Sequence, residues 1–271
     1  MLVGIDFGIT NTDIVVVDNN NKEFFSLLSE KVDRYFLNKI FDLIKIDFSK
    51  VKKIAVTGGK SDNLDDTFCN IPIIKINEVQ SIGYGAREMY SIDEESFVVV
   101  SAGTGTACIG FMNNEFHYLG GIAIGGGTLQ GLSNLIIETN DAKVIDSLAL
   151  EGDRSNLDYQ IGEVVNDIGS LYPEITASNF SKARNSSNQS SEDLAAALTN
   201  MIGESIGTIA YLNSLLVGVQ KVYFLGRVSL LNSVKKGIDD RLKLADIKGE
   251  YIDTREFGNA IGAIAYLKTN P

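Results

Sequence analysis

Asp6 closes an apolar run, Leu2-Val3-Gly4-Ile5, and is followed by Phe7-Gly8-Ile9-Thr10-Asn11-Thr12. A glycine at position 8 lets main chain come close to a ligand. Thr10, Asn11 and Thr12 add side-chain donors and acceptors beside the turn's amides. Such a turn can form a phosphate nest, and the carboxylate of Asp6 beside it can hold Mg²⁺ directly or through water. An ordinary β-hairpin would use the same residues, so this turn alone leaves both uses open.

A second turn of the same kind follows at Gly103-Thr104-Gly105-Thr106. Two small, hydroxyl-bearing turns facing each other would clamp a triphosphate, which points to nucleotide binding. A third block, Gly120-Gly121-Ile122-Ala123-Ile124-Gly125-Gly126-Gly127-Thr128-Leu129-Gln130, ends by opening a helix. Glycines this dense suit close backbone approach, and a helix N-terminus offers amides and a favourable dipole to an anion. Gly226, after the apolar run at 221–225, and the small residues of 258–263 would allow adenine to lie against backbone, or two helices to pack closely.

Glu78 follows an apolar run and Asn77, a good helix cap. A first-turn glutamate is stabilised by the helix dipole whether or not it has another role. Its catalytic use would be as a general base, taking an alcohol's proton as the oxygen attacks phosphorus.

Other chemistries are excluded by count. The single histidine, His117, rules out multi-histidine zinc sites, and Cys69 and Cys108 are too few for a cysteine zinc cluster. Their wide separation suits a reducing cytoplasm. Lysine and arginine total 24 against 35 acidic residues, a net charge of −11. That balance argues against a nucleic-acid partner, which calls for a basic face, but not against a nucleotide held by amides and Mg²⁺. No apolar run reaches the roughly 18 residues of a membrane span, and MLVGIDFG has no charged leader region, so neither a membrane nor a signal peptide is expected.

The elements that must carry these residues alternate. Strands are expected at 2–7, 12–17, 23–28, 53–57 and 72–76, with helices over 30–45 and from 78 to about 90. The pattern restarts with strands at 96–101, 107–112 and 115–119. Helices follow at about 127–139 and 141–151, and then a Ser/Asn-rich loop at 178–191. A long helix over 191–216, a strand at 221–225, a helix at about 229–242, a short strand at 249–252 and a helix at 257–267 complete the chain. Strands alternating with helices give an α/β fold. The repeated strand–turn–strand unit implies two halves, 1–94 and 95–271, with a nucleotide cleft between them and the last helix packing on the first half.

Taken in order, VGIDFGITNT, TGG at 57–59, NE at 77–78, SAGTGT at 101–106, GGIAIGGGTLQGL at 120–132, GDR at 152–154, TASNF at 176–180 and FGNAIGA at 257–263 resemble the type II pantothenate kinases. These belong to the sugar kinase/Hsp70/actin superfamily, whose halves are actin-like (ribonuclease H-like). The resemblance implies transfer of phosphate from MgATP to the primary hydroxyl of pantothenate, the first step of coenzyme A biosynthesis, by a homodimer. It puts the base on Glu78 and a metal-linked carboxylate on Asp6. It puts the ATP phosphate loops on Asp6 to Asp13, on Thr104 and on Gly126 to Gln130; together with the turns read above, the candidate ATP contacts are Gly8, Thr10, Asn11, Thr12, Gly103, Thr104, Gly105, Gly125, Gly126, Gly127, Thr128, Gln130 and Gly226. Substrate contacts fall on Tyr118, Gly121 and Arg154.

Two positions depart from the family pattern. Asp13 stands where the family carries lysine, and Tyr118 where it carries arginine. Lys60, Arg154 and Lys182 are candidates to supply the missing charge. A kinase for another small alcohol, such as an N-acetyl sugar, and a nucleotide-binding regulator without kinase activity are the alternatives. An ATPase that activates an acyl-CoA dehydratase would need interface cysteines for an iron–sulfur cluster, which Cys69 and Cys108 suit poorly.

Overall fold

The computed structural model describes residues 1–19, 21–169, 171–185 and 189–270. The first part of the chain runs β1 (Leu2–Phe7), β2 (Asn11–Asp18), β3 (Asn21–Leu28), α1 (Arg34–Ile44), β4 (Lys53–Gly58), β5 (Thr67–Phe68), β6 (Ile71–Lys75) and α2 (Glu78–Tyr90). The second sheet begins with β7 (Phe97–Ala102), β8 (Thr106–Met112) and β9 (Glu115–Ile122). Then come α3 (Gly126–Ile137), α4 (Ala142–Glu151), β10 (Tyr159–Gln160), α5 (Ile161–Val164), β11 (Thr176–Ser178), α6 (Ser191–Val217), β12 (Lys221–Leu225), α7 (Asn232–Leu242), β13 (Lys248–Glu250) and α8 (Gly258–Thr269).

The duplication expected from the turns is visible in strand order. One sheet is ordered β3-β2-β1-β4-β6-β5 and the other β13-β12-β7-β8-β9. In each, a meander of three antiparallel strands is extended beside its first member by two parallel strands, β4 and β6 in one and β12 and β13 in the other, and β5 pairs antiparallel with β6 at the far edge of the first sheet. The match β1 to β7, β2 to β8, β3 to β9 and β4 to β12 puts the Gly8–Thr10 and Gly103–Gly105 turns at equivalent hairpins.

Local chemistry sets the boundaries. The first helix begins at 34 rather than 30, because Asp33 caps it and accepts from the amides of Tyr35 and Phe36. The strand expected at 115–119 continues to Ile122 through a bulge: Ile109 pairs with Tyr118 but Cys108 pairs with Gly120. The helix expected over 229–242 is split, with a 3₁₀ turn at Arg227–Leu230 before α7. Within the Ser/Asn-rich 178–191 stretch, Ser181–Asn185 form a 3₁₀ turn, and residues 186–188 lie outside the described residues.

Each sheet has its own apolar core. Ile5, Ile14, Phe36 and Ile54 are buried in the first, and Val98, Val100, Ile202 and Phe224 in the second. Two helices cross between the sheets. Ile82 and Ala86 of α2 pack with Val99, Ile109 and Leu225 of the second sheet. Ala260, Ile261 and Ile264 of α8 pack on Val15 and Val17 of the first. The two helices meet backbone to backbone: a Cβ on Gly262 would lie 1.7 Å from the Ser81 carbonyl oxygen, so only glycine fits.

Candidate functional site

A cleft opens between the two sheets, walled by the turn after β1 on one side and the turn after β7 on the other. Gly8, Thr10, Asn11, Gly103, Thr104, Gly126, Gln130, Gly226 and Asp6 line it. The two turns touch: Thr10 Oγ1 lies 3.1 Å from Thr104 Oγ1. Ile9, 82% exposed, stands at the cleft mouth.

The first turn is braced from behind. Thr12, which the sequence suggested as a ligand contact, is fully buried. Its hydroxyl lies 2.9 Å from that of Ser29, which donates to the Gly8 carbonyl at 2.6 Å. Thr12 holds the turn's shape and does not line the cleft, because alternation along β2 turns it to the core side.

The glycine block is built differently from the expectation of free amides. The Gly126 amide donates to the Gly103 carbonyl at 2.8 Å and the Gly127 amide to that of Thr104 at 3.0 Å. A Cβ on Gly125 would lie 2.7 Å from the Gly103 carbonyl oxygen. The start of α3 is therefore docked onto the second turn, and these two amides are spent there rather than offered to an anion. Gly105 closes that turn, its carbonyl accepting from the Gly103 amide at 2.9 Å. Thr128 donates to the Ala123 carbonyl, and Gln130 to the Asn140 carbonyl at the edge of the cleft.

Asp6 and Asp13 face each other across the β1–β2 ladder, and Asp13 in turn faces Ser26 on β3. Like charges directly opposite on one sheet are unfavourable. Burial first, then the charges of Asp13 and Glu78, push the Asp6 carboxyl up to about 7; a hydrogen bond from Asn259 at 3.1 Å opposes them. Burial also raises Asp13, against the pull of Arg227, which donates to its carboxylate. Asn259 sits in the first turn of α8 and Arg227 just after β12. Neither Asn259 nor Arg227 is among the site residues expected from the sequence. Glu256, also missed, lines the cleft with a buried, unpartnered Oε2.

Glu78 begins α2, whose N-terminus Asn77 caps by accepting from the Val79 amide at 2.8 Å. Strands β1, β4 and β6 run parallel, so Asp6 and Glu78 share the carboxyl end of one sheet, where α/β folds place ligands. Glu78 is exposed and lies outside the lining of the cleft, but its charge reaches Asp6.

The three residues suggested for substrate are dispersed. Tyr118 and Gly121 lie on β9, at the edge of the second sheet; Tyr118 is 60% exposed, and its hydroxyl stands over Gly121. Arg154 lines a separate pocket and is committed there, donating to Thr176 Oγ1 and the Glu174 carbonyl and pairing with Asp158 at 3.7 Å. Lys182 is held by Glu163 and the Ser155 carbonyl, and Lys60 sits exposed in a left-handed turn. None of the three cations proposed from the sequence lines the cleft among the described residues; Arg227 does.

Among the described residues, no group of three or more acidic, histidine or cysteine side chains is arranged to hold a metal alone. Mg²⁺ commonly takes one or two carboxylates and completes its shell with phosphate oxygens and water. Asp6, with hard oxygens at the cleft floor and a neighbouring orphaned hydroxyl on Thr57, fits that use. No helix among the described residues is long and apolar enough to cross a membrane.

The sequence profile of the Fumble family matches residues 79–235. A type II pantothenate kinase from Bacillus anthracis is 31% identical over 274 residues, covering 97% of this chain and 96% of that one. The type II pantothenate kinase of Staphylococcus aureus is 27% identical over 99% of this chain and all of its own. Among solved structures, the activator of the 2-hydroxyisocaproyl-CoA dehydratase from Clostridium difficile, with bound ADPNP, superposes with a TM-score of 0.70 at 17% identity. That match covers 99% of this chain and 94% of the activator. A ROK family glucokinase from Streptomyces griseus, with glucose and AMPPNP, gives 0.63 at 12% identity over 100% and 99% of the two chains. These likenesses establish two actin-like halves.

Proposed function

The chain belongs to the type II pantothenate kinase family, and we propose on that premise how its cleft phosphorylates pantothenate. The enzyme transfers the terminal phosphoryl group of ATP to the primary hydroxyl of pantothenate. The observation that carries the nucleotide part is the meeting of Thr10 and Thr104, one from each of two equivalent turns, over a floor containing Asp6. The C-terminal half contributes Gln130, Gly226 and Leu231 to the opposite wall, a surface suited to adenine and ribose.

Glu78 is the base in this scheme. The hydroxyl oxygen attacks the γ-phosphorus and passes its proton to the Glu78 carboxylate. The new P–O bond forms as the bond to the β-phosphate oxygen breaks, and ADP leaves. A phosphoryl transfer of this kind asks the protein mainly for positioning and charge stabilisation. Mg²⁺, when bound, would supply charge neutralisation on the phosphates, and Asp6 is the residue we assign to it. Asn259 keeps the Asp6 carboxylate oriented. Tyr118 and Gly121 stay in the scheme as candidates for the pantothenate side, on the edge strand. Arg154 is reassigned to a structural role, since Thr176, Glu174 and Asp158 already satisfy it.

A homodimer fits the outer surface. Leu198, Ile202 and Ile206 of α6 face the core, but Leu212, Leu215 and Leu216 near its end are exposed. Light scattering at micromolar concentration tests this; a monomer would refute it. We read the chain as dividing near residues 94 and 95, with α2 and α8 crossing between the halves. A cytoplasmic setting suits two free cysteines, Cys69 exposed and Cys108 buried within β8.

The test is an ATP-consumption screen of pantothenate beside N-acetylglucosamine and other small alcohols. Pantothenate should give stoichiometric ADP and a phosphorylated product. Preference for the N-acetyl sugar would move the chain to sugar kinases, and nucleotide binding without turnover would make it a regulator.

A further inference from the structure

Among the described residues, the cleft is lined by three carboxylates, Asp6, Asp13 and Glu256, and by one cation, Arg227. That is an unfavourable environment for a polyphosphate unless the cation is turned toward it.

The main chain sets Arg227 there with little freedom. Gly226 precedes it at φ +88°, and a Cβ on Gly226 would lie 2.3 Å from the Ala102 carbonyl oxygen. The turn that follows is gripped by Arg255, only 7% exposed, whose guanidinium donates to Ser229 Oγ at 2.9 Å, to the Ser229 carbonyl at 2.6 Å and to the Ile252 carbonyl at 2.8 Å. The Gly226 amide donates to the Arg255 carbonyl at 3.0 Å. A buried arginine thus holds the loop that delivers the exposed one.

The hydrogen bonds of Arg227 run through one nitrogen, and its guanidinium carbon lies 5.9 Å from the centre of the Phe257 ring. Its Nη2 donates to Asp13 and, at 2.5 Å, to Ser26 Oγ, side chains that face each other on adjacent strands of the other sheet. A guanidinium carries five N–H donors in a fixed fork. Among the described residues the remaining donors, on Nε and Nη1, make no hydrogen bond, and the side chain is 32% exposed. Asp13 and Ser26 together hold Nη2, and the two N–H groups of Nη1 are left as donors toward the cleft.

We propose that Arg227 is the cation that contacts the nucleotide's phosphates: Asp13 and Ser26 anchor its Nη2, and an N–H of its free Nη1 donates to an ionised phosphate oxygen. The inference rests on the nucleotide assignment of the cleft. It gives the cation missing at position 13 a new origin, from the opposite wall. A guanidinium stays charged at every working pH, so Nη1 brings a permanent positive charge as well as its N–H donors to the phosphate.

The competing explanation is that Arg227 only neutralises buried Asp13. Calorimetric binding of ATP and of adenosine to four proteins separates the two: the parent, Arg227→Gln, Asp13→Asn and the double variant Asp13→Asn/Arg227→Gln. The expected result is an ATP affinity about tenfold to a hundredfold weaker in Arg227→Gln, with adenosine affinity unchanged. The double variant should bind ATP more weakly than Asp13→Asn by a similar factor. Equal weakening of ATP and adenosine, or a double variant that binds ATP as well as Asp13→Asn, overturns the proposal. Should Arg227→Gln fail to fold because Asp13 is left unpaired, the double variant against Asp13→Asn carries the comparison alone. A parent that binds neither ligand refutes the nucleotide assignment itself, a different failure.

Discussion

Thr10 and Thr104 place their hydroxyl oxygens 3.1 Å apart across the cleft, and they come from equivalent hairpins of the two sheets. The contact is a polar closure in which either hydroxyl can donate. A phosphate arriving between the turns would find two hydroxyls already converging. Thr104→Val keeps the shape and removes the hydroxyl. A single hydrogen bond of this kind is worth about 0.5–1.5 kcal/mol, so kcat/KM for ATP should fall about twofold to tenfold. Thr10→Val should act alike, and the double variant should lose less than the product of the two losses, because both act on one contact. Strictly multiplicative losses would show that the threonines work independently.

Glu78 is tested by Glu78→Gln, which keeps size and hydrogen bonding but cannot take the proton. Positioned general bases contribute typically about 10²–10⁴-fold. The variant should lose kcat by that factor while its affinity for ATP stays near parental. Near-parental kcat, with the chemical step shown to limit the rate, would reduce Glu78 to the first residue of a capped helix.

The raised Asp6 carboxyl makes a signed prediction. Its ordinary value is 3.8, and in the folded chain it is pushed up to about 7. Between those values the folded protein holds a proton that the unfolded chain has released. Stability of the nucleotide-free protein should therefore fall as pH rises through that window and level off above pH 7. Asp6→Asn has no such proton, so its melting temperature should decline less steeply across the same interval. Equal slopes would mean that Asp6 does not titrate there. MgATP favours the ionised form, so binding near pH 6.5 should release a proton. Calorimetry in buffers of different ionisation enthalpy measures that release, and Asp6→Asn should abolish it.

Gly126→Val separates two uses of the glycine block. A Cβ at Gly126 would stand 3.1 Å from a Val228 methyl and 3.2 Å from the Gly103 carbonyl. A valine would wedge α3 away from the second turn, so ATP affinity and melting temperature should fall together. Loss of ATP affinity with an unchanged melting temperature would restore the picture of an open anion-binding helix end.

Much of this architecture is legible in the order of residues because the signals are local. The strand after Met1, the Gly-Ile-Thr-Asn turn and the second Gly-Thr-Gly-Thr turn show where two hairpins begin, and Asn77 marks the start of α2. What stayed hidden depends on long-range pairing. Arg227 reaches Asp13 over 214 positions and Asn259 reaches Asp6 over 253; no spacing rule connects such residues. The glycine block was ambiguous for a different reason. Absence of a side chain serves an incoming phosphate and a docked strand turn equally well, and only the observed bonds from Gly126 and Gly127 decide between them. Thr12 faces the core while its neighbours on β2, Asn11 and Asp13, line the cleft, and the turn's length leaves that phase undetermined in the sequence.

The crossing of α2 and α8 sets a dimension for the whole machine. Each helix delivers a polar residue from its first turn, Glu78 in one case and Asn259 in the other, and the two helices touch at Ser81 and Gly262 one turn further on. The contact works as a gauge block: its thickness fixes the spacing between Glu78 and the carboxylate that Asn259 steadies. A methyl group added at Gly262 would touch no substrate, yet it would reset that spacing. Damage there would read in an assay as a defect of catalysis, although its cause would be one of fit between two parts.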